Sequence, residues 1–153
     1  NTLVWSQQKK SWLSTNTDLF GLSYSAEEEQ LLSLEQVVIW GGGGTLEVIR
    51  RVFPAASSYS AQSGLPRINE LPCEFPRLLI WGVGRAQFEK SNIWPDPSWK
   101  PDVIFDLNYA EDSPGLEYAQ KTGSRYISGI KMFKAQALGQ REFWQKMERE
   151  GRL

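Results

Sequence analysis

Gly41, Gly42, Gly43, Gly44 and Thr45 follow the apolar run Val37-Val38-Ile39-Trp40 and lead into Leu46-Glu47-Val48-Ile49-Arg50-Arg51-Val52-Phe53. The chemistry open to such a stretch is anion binding. A β-branched apolar run reads as a strand buried on both faces, glycines allow a tight turn, and Leu46, Ile49 and Val52 or Phe53 keep a helical spacing until Pro54 stops it. In that arrangement the backbone can approach a pyrophosphate, and free N–H groups at the helix start point at it. The plain alternative is a flexible turn. About twenty residues beyond Gly41, where a dinucleotide fold reads the adenosine ribose, stand Ala61-Gln62-Ser63-Gly64 and then Arg67. Neither the acid that reads NAD nor an arginine in the turn itself is present. Thr15-Asn16-Thr17-Asp18 offers either a helix cap or a polar site.

Composition removes several chemistries. The 153 residues contain no His and one Cys, so Ser-His and Cys-His nucleophiles, most zinc sites and an internal disulfide are excluded. A lone Cys73 fits a cytosolic setting. Net charge is −1 and no basic block stands out, which argues against nucleic-acid or anionic-membrane partners. No apolar run nears 18 residues and there is no signal peptide. A chain of this size is expected to form one domain, long enough for a real core and burying roughly 70% of its unfolded surface.

The elements that must position these residues follow in order. Residues 1–5 and 11–14 read as a β-hairpin around Ser6–Lys10. Residues 26–33 read as an exposed polar connector, helical for a turn or two at most. Further strands are expected at 56–61, 77–81, 103–107 and 125–128. A helix is expected over 113–122, with Ser113 as cap, Pro114 at its first position and Gly123 at its end. The longest helix is expected over 132–149, buried along Met132, Gln136, Gly139, Phe143 and Met147. Alternating strands and helices predict an α/β, Rossmann-like, doubly wound parallel sheet with helices on both faces. Ligands then sit beyond the strand carboxyl ends, at 41–45, 61–64, 82–85, 107–109 and 128–131.

At this point the residues resemble shikimate dehydrogenase, the family that reduces 3-dehydroshikimate to shikimate with NADPH. Asn1-Thr2, then Asn16-Thr17-Asp18 and Gly21, are similar to its Asn-Thr and Asn-Thr-Asp motifs. Residues 41–45 are similar to its Gly-Ala-Gly-Gly-Ala loop, with Gly42 in the alanine place. Asp106-Leu107-Asn108-Tyr109 with Pro114-Gly115-Leu116 resembles its Asp-x-x-Tyr and Thr-Pro-Leu stretches. Residues 128–132, Gln136-Ala137 and Phe143-Trp144 resemble its ending.

The resemblance implies that Asp18 is the carboxylate of a catalytic Lys–Asp pair, and that Asn1, Asp18, Tyr109 and Gln136 bind a shikimate- or quinate-type polyol acid. It implies that Gly41, Gly42, Gly43, Gly44 and Thr45 cradle the pyrophosphate, that Ala61, Gln62 and Ser63 face the adenosine ribose, and that Leu107 and Gly129 line the nicotinamide pocket. The implied cofactor is NADP, with NAD the alternative. Residues 1–18 would then end a substrate domain and 19–153 form the nucleotide domain. The family's catalytic Lys has no counterpart here, so the chain alone is expected to be inactive. Ala61-Gln62-Ser63 replaces an Asn-Arg-Thr phosphate clamp, a loss of ~1.5–3 kcal/mol or roughly 10- to 150-fold in affinity. Residues 65–72 are too short and proline-bounded for a crossover helix. Lys131, in place of a glycine, is expected near the cofactor, paired with a phosphate or filling the site. Two functions stay open: a divergent dehydrogenase, and a non-catalytic module whose cofactor groove has eroded.

Overall fold

In the strand Val37–Gly41 every residue is buried, and odd and even side chains enter different cores. The computed structural model describes residues 1–91 and 93–152; of the expected 19–153 domain, Asn92 and Leu153 lie outside the described residues. In chain order the elements are β1 (Thr2–Ser6), β2 (Ser11–Thr15), α1 (Thr17–Glu28), β3 (Val37–Gly41), α2 (Leu46–Val52), β4 (Ser57–Tyr59), β5 (Leu78–Gly82), α3 (Arg85–Ser91), β6 (Val103–Asp106), α4 (Pro114–Thr122), β7 (Arg125–Ser128) and α5 (Ile130–Arg149). β1 and β2 form a separate antiparallel hairpin. The other five strands make one parallel sheet in the order β4-β3-β5-β6-β7.

Strand alternation builds the two layers. Val37, Ile39, Leu78, Ile80, Val103 and Phe105 face Leu22 and Ala26 of α1, Ile49 of α2 and Met132 of α5. Val38, Trp40, Leu79, Trp81 and Ile104 face Phe88 of α3, Trp99, and Tyr118 and Ala119 of α4. The doubly wound sheet expected from the sequence is therefore present, and the strand order turns back between β3 and β5. That reversal opens a crevice at their carboxyl ends. No described helix is long and apolar enough to cross a membrane.

Two local expectations need correction, and one holds in the main. The connector over 26–33 is mostly exposed and helical only over 26–28 and Leu31–Ser33, with Ala26 and Leu31 buried. Its run of glutamates covers only the solvent side, while Leu22, Ala26 and Leu31 supply the inward contacts. The second strand is three residues rather than six, because the chain turns away after Tyr59 to bridge back through Pro66. α3 has no counterpart among the expected elements, since Arg85-Ala86-Gln87-Phe88-Glu89-Lys90 offers one buried apolar side chain, Phe88, instead of a stripe. As expected, no helix lies between β4 and β5.

Candidate functional site

Asn16 caps α1 by accepting from the Asp18 amide at 2.9 Å, which fixes Asp18 in the helix's first turn. Asn1 is anchored by its side-chain oxygen, which accepts from the Thr17 amide at 3.0 Å and the Thr17 hydroxyl at 2.9 Å. Its amide nitrogen then donates to Asp18 Oδ1 at 2.5 Å. Gln136, projected from α5, donates its side-chain N–H to the same oxygen. α1 and α5 approach closely because Gly21 has no side chain: a Cβ there would lie 2.6 Å from Gln136 Cγ and 2.7 Å from the Met132 carbonyl oxygen. Hairpin, α1 and α5 thus converge on one half-buried carboxylate. Among the described residues, Asp18 Oδ2 has no hydrogen-bond partner and no lysine pairs with Asp18.

The crevice between β3 and β5 is a second centre. It is an open groove of about 600 Å³ lined by Gly41, Gly42, Gly43, Ala61, Gln62 and Val83 together with Ser60, Arg67, Gly82, Gln87 and Lys90. Gly42 adopts φ +94°, a conformation glycine takes without strain. Its N–H donates to the Gly82 carbonyl at 3.2 Å, and the Thr45 N–H and hydroxyl donate to the Gly42 carbonyl at 2.8 and 2.6 Å. Gly43 and Gly44 face open space, with nothing within 4 Å of where a Cβ would stand. Their N–H groups open a helical turn, where the backbone offers no intrahelical acceptor.

Gly44, Thr45 and Ser63 do not line the groove; Thr45 closes the loop upon itself, and Ser63 accepts from the Leu65 amide. Leu107 and Gly129 touch, since a Cβ on Gly129 would lie 2.5 Å from the Leu107 oxygen. Neither reaches the groove, and neither does Asp18, Tyr109 or Gln136. Tyr109 packs on Phe133 with ring centroids 4.8 Å apart and is well exposed. Lys131 is also displaced from its expected place: its ammonium pairs with Glu29 at the end of α1, a carboxylate also held by Arg125 at 2.7 Å. That pairing raises the Lys131 pKa.

Two groove cations lie outside the site expected from the sequence. Arg67 reaches back from the loop that replaces a crossover helix and donates to the Gly41 carbonyl at 3.2 Å; its buried Nε has no partner among the described residues. Lys90 arrives from α3. Position alone could have flagged Arg67, three residues past the turn; nothing in the sequence around Lys90 could.

Below the Leu107–Tyr109 loop lies Asp106, fully buried. Asn108 donates to Oδ1 from its amide at 2.9 Å and its side chain at 2.7 Å, and Oδ2 accepts from Tyr126 at 3.0 Å and from Ser113. Burial pushes this carboxyl above its ordinary range, although every hydrogen bond acts the other way. The folded chain therefore holds the Asp106 proton more tightly than the unfolded chain. Stability from this group falls as pH climbs from the unfolded value, about 3.9, to the raised folded one, and is level above it. Urea denaturation of Asp106→Asn across that interval should show the variant gaining on wild type as pH rises. A constant difference would refute the assignment.

No family model and no curated protein sequence matches the chain. Solved structures do. The chain is similar to shikimate dehydrogenase 1 from Peptoclostridium difficile at 19% identity and a TM-score of 0.68, over 94% of this chain and 59% of that one. It is similar to shikimate 5-dehydrogenase from Listeria monocytogenes, solved with shikimate and NAD, at 14% identity and a TM-score of 0.60, over 94% and 62%. The shikimate 5-dehydrogenase of Thermus thermophilus, solved with NADP(H) and shikimate, matches at 13% identity and a TM-score of 0.61, over 89% and 59%. The chain spans about three-fifths of the length of these proteins, and over that length it carries the fold of the shikimate dehydrogenases.

Proposed function

We propose that the chain is the nucleotide-binding part of a shikimate dehydrogenase-like oxidoreductase that interconverts 3-dehydroshikimate and shikimate, or the corresponding quinate pair, with NADP(H). The observation that carries this reading is the convergence of Asn1 and Gln136, 135 positions apart in the chain, on one oxygen of Asp18. Packing alone does not call for that arrangement. It leaves Oδ2 without a hydrogen-bond partner among the described residues, on a side chain held by two amides suited to hydroxyl groups.

A nicotinamide dinucleotide suits the other centre. The loop gives it space at Gly43, and the lining has cations at Arg67 and Lys90 and no acid. When bound, the cofactor supplies the hydride acceptor or donor. The chain's own contribution is positioning and charge. The loop amides and Arg67 would hold phosphate, and Asn1 and Gln136 orient substrate hydroxyls. Asp18 fixes the group that carries the proton to or from the alcohol oxygen and supports its charge. That group is not among the residues here: Lys9 and Lys10 occupy the exposed tip between β1 and β2.

Isothermal titration of this chain with NADP⁺ and NAD⁺ tests the groove directly. Submillimolar binding of either supports the oxidoreductase. Silence with both, with shikimate still bound by the protein carrying this chain, would favour the eroded module, the reading that Ala61-Gln62-Ser63 supports. If Arg67 returns the charge missing from that turn, Arg67→Gln weakens NADP⁺ by roughly 10- to 150-fold and leaves NAD⁺ nearly unchanged. An equal loss for both nucleotides would place Arg67 elsewhere than on the ribose phosphate.

A further inference from the structure

Because no helix joins β4 to β5, residues 60–77 form a wide loop, and together with residues 93–102 it borders a second, open depression of about 440 Å³. Its lining shares no residue with the glycine-loop groove. Trp99 and Tyr59 lie edge to face at 5.0 Å, both nearly buried, and Phe75 projects from the loop with 69% of its surface exposed. The Tyr59 hydroxyl is fixed by the Cys73 amide, which donates to it at 3.0 Å. Two carboxylates, Glu74 and Asp96, line the same space, and no Lys or Arg does.

Asp96 is exposed, and the turn that follows holds its side chain in place. Its Oδ1 accepts from the Ser98 amide at 2.8 Å and the Ser98 hydroxyl at 2.7 Å, and its carbonyl accepts from the Trp99 amide at 3.0 Å. Among the described residues no hydrogen bond reaches Oδ2, and Glu74 has no ion-pair partner. The Ser98 hydrogen bonds hold the Asp96 carboxyl below its ordinary range, so its charge persists into acid. Three aromatic rings with two uncompensated carboxylates attract a cation with an apolar body and repel an anion. The volume suits a small molecule or one side chain.

We propose that this depression is a binding site for an organic ammonium ion, with Tyr59, Phe75 and Trp99 around its apolar part and Asp96 and Glu74 taking its charge. The ammonium could arrive on a free amine or on a lysine side chain; the chemistry of recognition is the same.

Titration of the intact chain with phenethylamine, 2-phenylethanol and phenylacetate separates charge from shape, read by calorimetry and by the NMR shift of the Trp99 indole N–H. Saturable binding of the amine, about three- to thirtyfold tighter than the neutral alcohol, is expected, with no binding of phenylacetate. Glu74→Gln with Asp96→Asn should erase that preference while the unfolding midpoint stays within a few degrees of wild type. Blocked lysine tested alongside tells a protein-borne ammonium from a free one by which binds tighter. Equal affinity for alcohol and amine, binding of phenylacetate, or saturation by none of the probes overturns the site. Because NADP⁺ occupies a different groove, its binding or absence decides the oxidoreductase reading and leaves this result standing alone.

Discussion

Gly82→Ala is expected to lower the unfolding free energy by about 1–3 kcal/mol and, on the proposed function, dinucleotide affinity by about tenfold or more. A Cβ there would stand 2.6 Å from Gly42 Cα and 2.7 Å from Gly42 N. Both atoms are backbone, so no side chain can swing aside. β5 is locked in register beside β3, with Gly41 opposite Gly82, so relief must come from moving the glycine loop. That movement breaks the bond from the Gly42 amide to the Gly82 carbonyl and misplaces the amides proposed to hold phosphate. Urea denaturation reads the first effect and calorimetry with NADP⁺ the second. Wild-type values in both would mean that the two loops are not in contact.

On the proposed function, Asp18→Asn should cut dinucleotide-dependent oxidation of shikimate, assayed in the protein carrying this chain, by about 10² to 10⁴-fold, the usual worth of a positioned acid–base system. The amide keeps the size of the side chain and can still accept from Asn1 and Gln136 through its oxygen, so folding should be nearly unaffected. What disappears is the negative charge, together with one acceptor on the side away from those two residues. The loss should therefore fall mainly on kcat. A variant turning over at the wild-type rate would remove Asp18 from the chemistry.

Much of this could be read from residue order. The run Val37–Trp40 had to be a central strand because polar residues on neither face interrupt it, and Ser113, Pro114 and Gly123 mark both ends of α4 by local chemistry alone. The Asp18 site was legible only through resemblance to the motif, since nothing near Gln136 announces a partner 118 residues upstream. Other features depend on tertiary contact. α3 forms because Phe88 finds Trp81 and Trp94, with ring centroids 5.9 and 4.4 Å away. Lys131 turns from the expected groove because Glu29, brought close by the packing of α1 on α5, offers it a nearer charge. The mirror case is Arg67: a loop without a regular element carries it to Gly41, and periodicity says nothing about such loops.

Trp40 and Trp81 stand immediately before Gly41 and Gly82, side by side at the ends of β3 and β5, and both are almost wholly buried. The Trp81 indole N–H holds the Val83 carbonyl at 2.8 Å, whereas the Trp40 indole N–H has no acceptor among the described residues. The molecule therefore carries a built-in optical reporter at the mouth of its crevice. Either a ligand settling there or a shift of the Val83 loop would change the fluorescence of these two indoles, read as part of the summed emission of the chain's seven tryptophans.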